Sequence, residues 1–203
     1  MKRLAIIFLF VTIGYSSSYA GLVNYGVKGG INFSNLIGNE WMVQSYYKTT
    51  FHGGLFLDVS LLGIVGVETG AYYSRKGYVD ITKAEIGGVF ETIQESDYSY
   101  DYIDIPVLLR VKPIPFVSFF AGPQASIYLT NNYKVIDQDG NITKGKDEDV
   151  MTSPDFALVI GTHTNLPFGA FISASYDYSL LPYKADNKKI HNSVIKISVG
   201  YKF

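Results

Sequence analysis

The sequence predicts an all-β fold, an eight-stranded antiparallel up-and-down transmembrane β-barrel formed by residues 21–203 behind a short export leader. Three observations carry this expectation. Several segments alternate apolar and polar residues with period two, the connections between them alternate long and short, and the chain ends in a strand with an aromatic last residue. Successive side chains of a strand point to opposite faces, so such alternation marks a strand with one apolar side and one polar side.

The final segment is the clearest. Ile195, Ile197, Val199, Tyr201 and Phe203 form one face, while Val194, Lys196, Ser198, Gly200 and Lys202 form the other. Segments 22–33, 52–61, 64–77, 100–112 and 116–129 repeat the pattern, and 155–164 and 169–178 follow it more weakly. Each spans roughly 10–13 residues, the length a tilted strand needs to cross a bilayer. Short connections fall at Leu62-Gly63, Pro113-Ile114-Pro115 and Asn165-Leu166-Pro167. Long polar ones cover 34–51, 78–99, 130–154 and 179–192. Outer-membrane barrels combine tight periplasmic turns with long external loops, and an even strand count leaves both termini periplasmic.

The leader is read from residues 1–20. Lys2 and Arg3 precede the apolar run Leu4 to Ile13, and small residues lead to Ala20, with Ser18 at −3 of the expected cleavage point. That apolar run is shorter than the ~20 residues of a membrane-crossing helix. Removing it leaves 15 basic and 18 acidic side chains, a formal charge of −3, which argues against a nucleic-acid partner. With no cysteine, the chain has no disulfide framework, thiol nucleophile or lipid anchor on cysteine. The 17 Tyr, 13 Phe and 20 Gly, with weak local hydrophobicity, suit a barrel in which every second residue meets lipid.

A soluble sandwich or periplasmic binding barrel would also alternate, but with its apolar face inside. The loop asymmetry and aromatics near strand ends (Tyr25, Phe33, Tyr73, Tyr78, Tyr128, Tyr176, Tyr201, Phe203) favour the membrane form, because tyrosine rings prefer the membrane–water interface.

Four stretches carry a family resemblance. Tyr102-Ile103-Asp104-Ile105-Pro106-Val107-Leu108-Leu109-Arg110 resembles a characteristic strand of the PorT-like family of small outer-membrane β-barrels. Segments 29–34, 66–77 and 120–125 are similar to that family's first, third and fifth strands. The resemblance implies an outer-membrane barrel in contact with membrane lipid and lipopolysaccharide. It also implies a link to secretion machinery or other envelope proteins, and it implies no cofactor.

On this reading Lys28, Asp58, Glu68, Asp104, Arg110, Asp177 and Lys196 all point into the lumen. Buried charges persist when paired, and eight strands leave an interior narrow enough for side chains to fill. A closed internal network is therefore expected in preference to a water-filled pore. His191-Asn192-Ser193 resembles the His-x-Ser pair of lipid A deacylases and is the basis of an alternative, a lipid A-modifying hydrolase. Such an enzyme needs an acid to orient the histidine, and no acid follows Ser193; no catalytic residues are assigned. Asp137-Gln138-Asp139-Gly140-Asn141, with Glu148 at position 12, loosely evokes a calcium loop. Thr143 and Gly145 fill ligand positions poorly, so an exposed Asp-Gly turn is expected. The three histidines show no metal-ligand spacing. In the first long loop, Trp41, Tyr46 and Tyr47 are candidate external contacts, either with a partner or with lipid headgroups.

Overall fold

The computed structural model describes residues 23–38, 45–61, 63–86, 89–146, 155–181, 183–185 and 188–203. The expected leader, Trp41, Leu62 and Glu148 lie outside them. Eight long strands form the wall: β1 (Val23–Gly38), β2 (Ser45–Ser60), β3 (Val65–Ile86), β4 (Val89–Ile114), β5 (Val117–Asp137), β7 (Asp155–Asn165), β8 (Ala170–Ser179) and β10 (Lys188–Lys202). Each pairs antiparallel with the next, and β10 returns to β1 from Gly26↔Lys202 to Gly38↔Ile190, closing the ring. Two short strands stand outside this cycle: β6 (Ile142–Gly145) pairs with β5, and β9 (Tyr183–Ala185) with β10.

The alternation sorts side chains across the wall. Leu109, Phe119, Ile160 and Val199 are each more than half exposed on the outside. Their neighbours Leu108, Arg110, Phe120, Val159, Lys196 and Ser198 are buried in the lumen. A water-soluble barrel would reverse this order. A continuous apolar exterior around a polar and aromatic interior is stable against lipid.

Ring-over-glycine packing lets bulky side chains into so narrow a space. A Cβ on Gly200 would stand 2.2 Å from the Phe171 ring, and one on Gly161 2.4 Å from Phe120. Bare backbone at these two positions is what makes room for the rings. Phe56 meets Phe171 edge-on at 5.4 Å, and His163 lies 4.6 Å from Phe120 and 5.0 Å from Phe171.

Connections at one end are tight: Gly63 at φ 73° serves the β2–β3 turn, and Pro167–Gly169 form a single 3-10 turn between β7 and β8. There Phe168 (φ 61°) and Gly169 (φ 82°) are left-handed, and Phe168 is 93% exposed. The β4–β5 turn is Pro115-Phe116, since Ile114 still pairs with Val117; the expected turn at Pro113–Pro115 is displaced by one residue.

At the other end the expected loops prove to be largely strand. The 78–99 segment is a hairpin whose pairing runs on to Ile86↔Val89, and β5 continues to Asp137. β4 has 26 residues and β8 only 10. About 10 residues suffice to cross the membrane, so the β3–β5 wall stands far above it. Beyond lipid both faces of a sheet meet water, which removes the hydrophobic alternation that marks strands in a sequence.

Candidate functional site

Period-two register brings all seven predicted lumen charges inside. Near the turn end, Arg110 on β4 places Nη2 2.6 Å from Oδ2 of Asp58 on β2. One layer up, Lys28 Nζ donates to Glu68 Oε1 at 2.8 Å, and His163 Nε2–H donates to Glu68 Oε2 at 2.9 Å. The Lys28 ammonium also lies 4.8 Å from the centre of the Tyr72 ring.

Above the rings sits a second cluster. Asp104, fully buried, receives Lys76 at 2.9 Å on Oδ1 and Lys196 at 2.8 Å on Oδ2, and the Ser126 hydroxyl donates to it at 2.6 Å. Lys196 reaches Asp177 as well, at 2.7 Å. Four cations (Lys28, Lys76, Arg110, Lys196) thus meet four carboxylates (Asp58, Glu68, Asp104, Asp177) inside the wall. A charge buried in so little water is tolerable only with its counter-charge in contact.

His52 and Asn32 were not singled out from the sequence, yet they bridge the lumen. His52 Nδ1–H donates to Asn32 Oδ1 at 2.7 Å, and the Ser198 hydroxyl donates to Nε2 at 2.9 Å, a pattern that holds a neutral ring. The Asn32 amide donates to the Arg75 carbonyl at 2.7 Å. Lys76 was also missed. All three carry the lumen parity of their strands, so continued period-two counting would have found them. A cavity of about 30 Å³ remains among Lys28, His52, Tyr72, Asp177 and Lys196, room for one or two waters.

The His191–Ser193 pair lies near the loop end of β10. The Ser193 hydroxyl donates to Tyr176 Oη at 3.0 Å, and His191 Nδ1–H donates to the Ser179 carbonyl at 2.9 Å while its ring stacks on Tyr178 at 5.3 Å. This serine is engaged by a phenol, not by the histidine. Asp137 caps the β5–β6 turn, its Oδ1 accepting the N–H groups of Asp139 and Asn141. Among the described residues no group of three His, Cys, Asp or Glu side chains is placed to hold a metal. Tyr46 and Tyr47 are exposed at the start of β2. Tyr78, expected in the interfacial girdle, instead shares the lumen-side column with Lys76 and stacks on Tyr98 at 5.0 Å.

Outside the column, the projecting sheet carries a second polar region. Arg75 Nε donates to Asp101 Oδ1 at 2.6 Å, and Lys48 pairs with Asp97. Around that pair opens a cavity of about 410 Å³, whose lining includes Lys48, Asp97, Lys134, Lys144 and Lys146.

A closed antiparallel ring, apolar outside and charge-paired inside, defines an integral membrane β-barrel. Residues 15–184 match the family described as outer membrane protein beta-barrel domain, and the chain belongs to that family. It is an integral protein of the cell outer membrane. Its fold is similar to that of Ail, the attachment invasion locus protein of Yersinia pestis (TM-score 0.51, 16% identity, 89% of this chain and 98% of that one). It is similar also to Neisserial surface protein A (TM-score 0.53, 14% identity, 88% and 97%). No curated protein is matched at the sequence level.

Proposed function

We propose that the protein works without catalysis, as a closed scaffold in the outer membrane whose projecting β-sheet is its working surface. The observation that carries this reading is the filled lumen. Ion pairs and stacked rings occupy it from Asp58–Arg110 up to Asp104–Lys196, and the cavity between them admits a water or two but no solute. Function then falls to the surfaces that remain, namely the β3–β5 extension and the exposed Tyr46 and Tyr47.

On this reading residues 1–20 are removed on export, the termini and tight turns face the periplasm, and the tall sheet faces outward. The PorT-like resemblance adds a narrower expectation, that this surface serves a secretion or transport assembly of the envelope. Planar bilayers test the closed scaffold: purified protein is expected to give no stable ohmic conductance. A reproducible pore of nanosiemens size would refute it.

A further inference from the structure

The 410 Å³ cavity on the projecting sheet has an unusual charge arrangement. Lys134 on β5 stands directly opposite Lys144 on β6, and on its other side opposite Asp97 on β4. Register partners share a face, so these three side chains form one row. Asp97, the sole carboxylate lining the cavity among the described residues, is already taken by Lys48, reaching over from β2. Among the described residues no carboxylate pairs with Lys134, Lys144 or Lys146.

Like charges directly opposite on neighbouring strands destabilise a sheet. Lysines on the edge strand β6 would serve to block edge pairing. That accounts for Lys144, but not for Lys134 facing it on the inner strand β5. A shared anion accounts for both.

The position of the row indicates which anion. Tyr98 and Tyr133 lie on the opposite face, continuous with the lumen column. The lysine row therefore lies on the outside of the wall, above the lipid-facing residues. On β5 the exposed Leu129 lies five residues before Lys134; on β2 the exposed Phe51 lies three residues from Lys48. At about 3.3 Å per residue these steps are roughly 10–17 Å along the strands. Between them come the paired rings of Phe51 and Tyr73 at 5.7 Å and the Arg75–Asp101 ion pair. Lipid, aromatic girdle, ion pair and lysine cavity follow in that order away from the membrane. This is the height of the lipid headgroups, where an anionic surface attracts Lys and Arg.

We propose that the cavity of Lys48, Lys134, Lys144 and Lys146 binds the phosphorylated sugar headgroup of an outer-leaflet glycolipid, with a phosphate held between Lys134 and Lys144. The inference rests on the outward orientation of the tall sheet given above. Folded protein in detergent micelles is titrated with lipopolysaccharide, with the same lipopolysaccharide after dephosphorylation, and with inorganic phosphate. The wild type is expected to prefer the phosphorylated form by tenfold or more. The Lys134→Ala/Lys144→Ala double variant, which retains the folded band on unheated gels, is expected to lose that preference, and Lys112→Ala at the turn end to keep it. Equal binding of the two lipopolysaccharide forms, or an unaffected double variant, overturns the site. Displacement by micromolar inorganic phosphate overturns the glycolipid assignment in favour of a free-anion site. Surface labelling of the Gln138→Cys variant, at an exposed position of the β5–β6 turn, in intact cells tests orientation separately. Labelling only after the outer membrane is breached overturns that reading, whatever the titration shows.

Discussion

Inside the barrel lysine and arginine are strictly paired; on the outer face of its projecting sheet that rule is relaxed. In the lumen every one of Lys28, Lys76, Arg110 and Lys196 contacts a carboxylate. On the sheet Arg75 and Lys48 also hold carboxylates, but Lys134 and Lys144 face each other, and among the described residues no carboxylate stands between them. The difference follows from solvent: a charge shut away from water needs its partner built in, whereas a wet charge stays available to an external ligand. Pairing within the protein thus marks structure here, and its absence marks a surface left open for binding.

The largest effect is expected where the lumen rule is broken. Asp104→Ala strands Lys76 and loosens Lys196, and removal of one partner from a buried pair costs about 3–5 kcal/mol. Urea unfolding in lipid vesicles should show this as a large fall in midpoint, and a wild-type midpoint would mean that water reaches the cluster. Next comes Gly200→Ala, which pushes a methyl into the Phe171 ring; overpacking of this kind costs about 1–3 kcal/mol. The same unfolding assay, with near-ultraviolet dichroism for the ring, measures it.

On the sheet the sign of the comparison reverses. Lys144→Ala is expected to leave stability within about 0.5 kcal/mol, as at other exposed sites, or to raise it by relieving Lys134. A loss comparable to Asp104→Ala would erase the distinction between the two regions. His191→Ala with Ser193→Ala should leave the lipid A acyl pattern unchanged by mass spectrometry, since Ser193 is bonded to Tyr176 and not to the histidine.

The smallest effect is local. Hydrogen bonds from the Asn141 side chain and from backbone N–H groups hold the Asp137 carboxyl below its ordinary range. A lowered folded value means that this support is present above the usual carboxylate pKa and fades as pH falls through the lowered one. Protection of the Asp139 and Asn141 amides, measured as the exchange rate relative to the intrinsic rate at the same pH, should therefore fall in acid, and should be low at neutral pH in Asp137→Ala.

Legibility in the sequence stopped where lipid stops. Within the membrane, alternation placed Lys28, Asp58, Glu68, Asp104, Arg110, Asp177 and Lys196 on one face, though not which would touch. That Asp104 gathers lysines from β3 and β10 depends on ring closure and on strand stagger. Above the membrane two register shifts intervene, one between Tyr47 and His52 on β2 and one opposite Asp101 and Tyr102 on β5. Each exchanges the faces of everything beyond it, so Lys48, Asp97 and Lys134 could not be brought together by counting.

By itself the sequence determined the strand class, the count of eight membrane-crossing strands and the set of charges that share one face, because a wall between two unlike media imposes a period-two pattern, and the loop asymmetry and the aromatics at the strand ends say which face meets lipid. Only the tertiary structure decided the partners within that set, the height of the β3–β5 sheet and the lysine-lined cavity upon it. Those depend on register and bulges, set by contacts between residues far apart in the chain, and a local pattern holds no record of them.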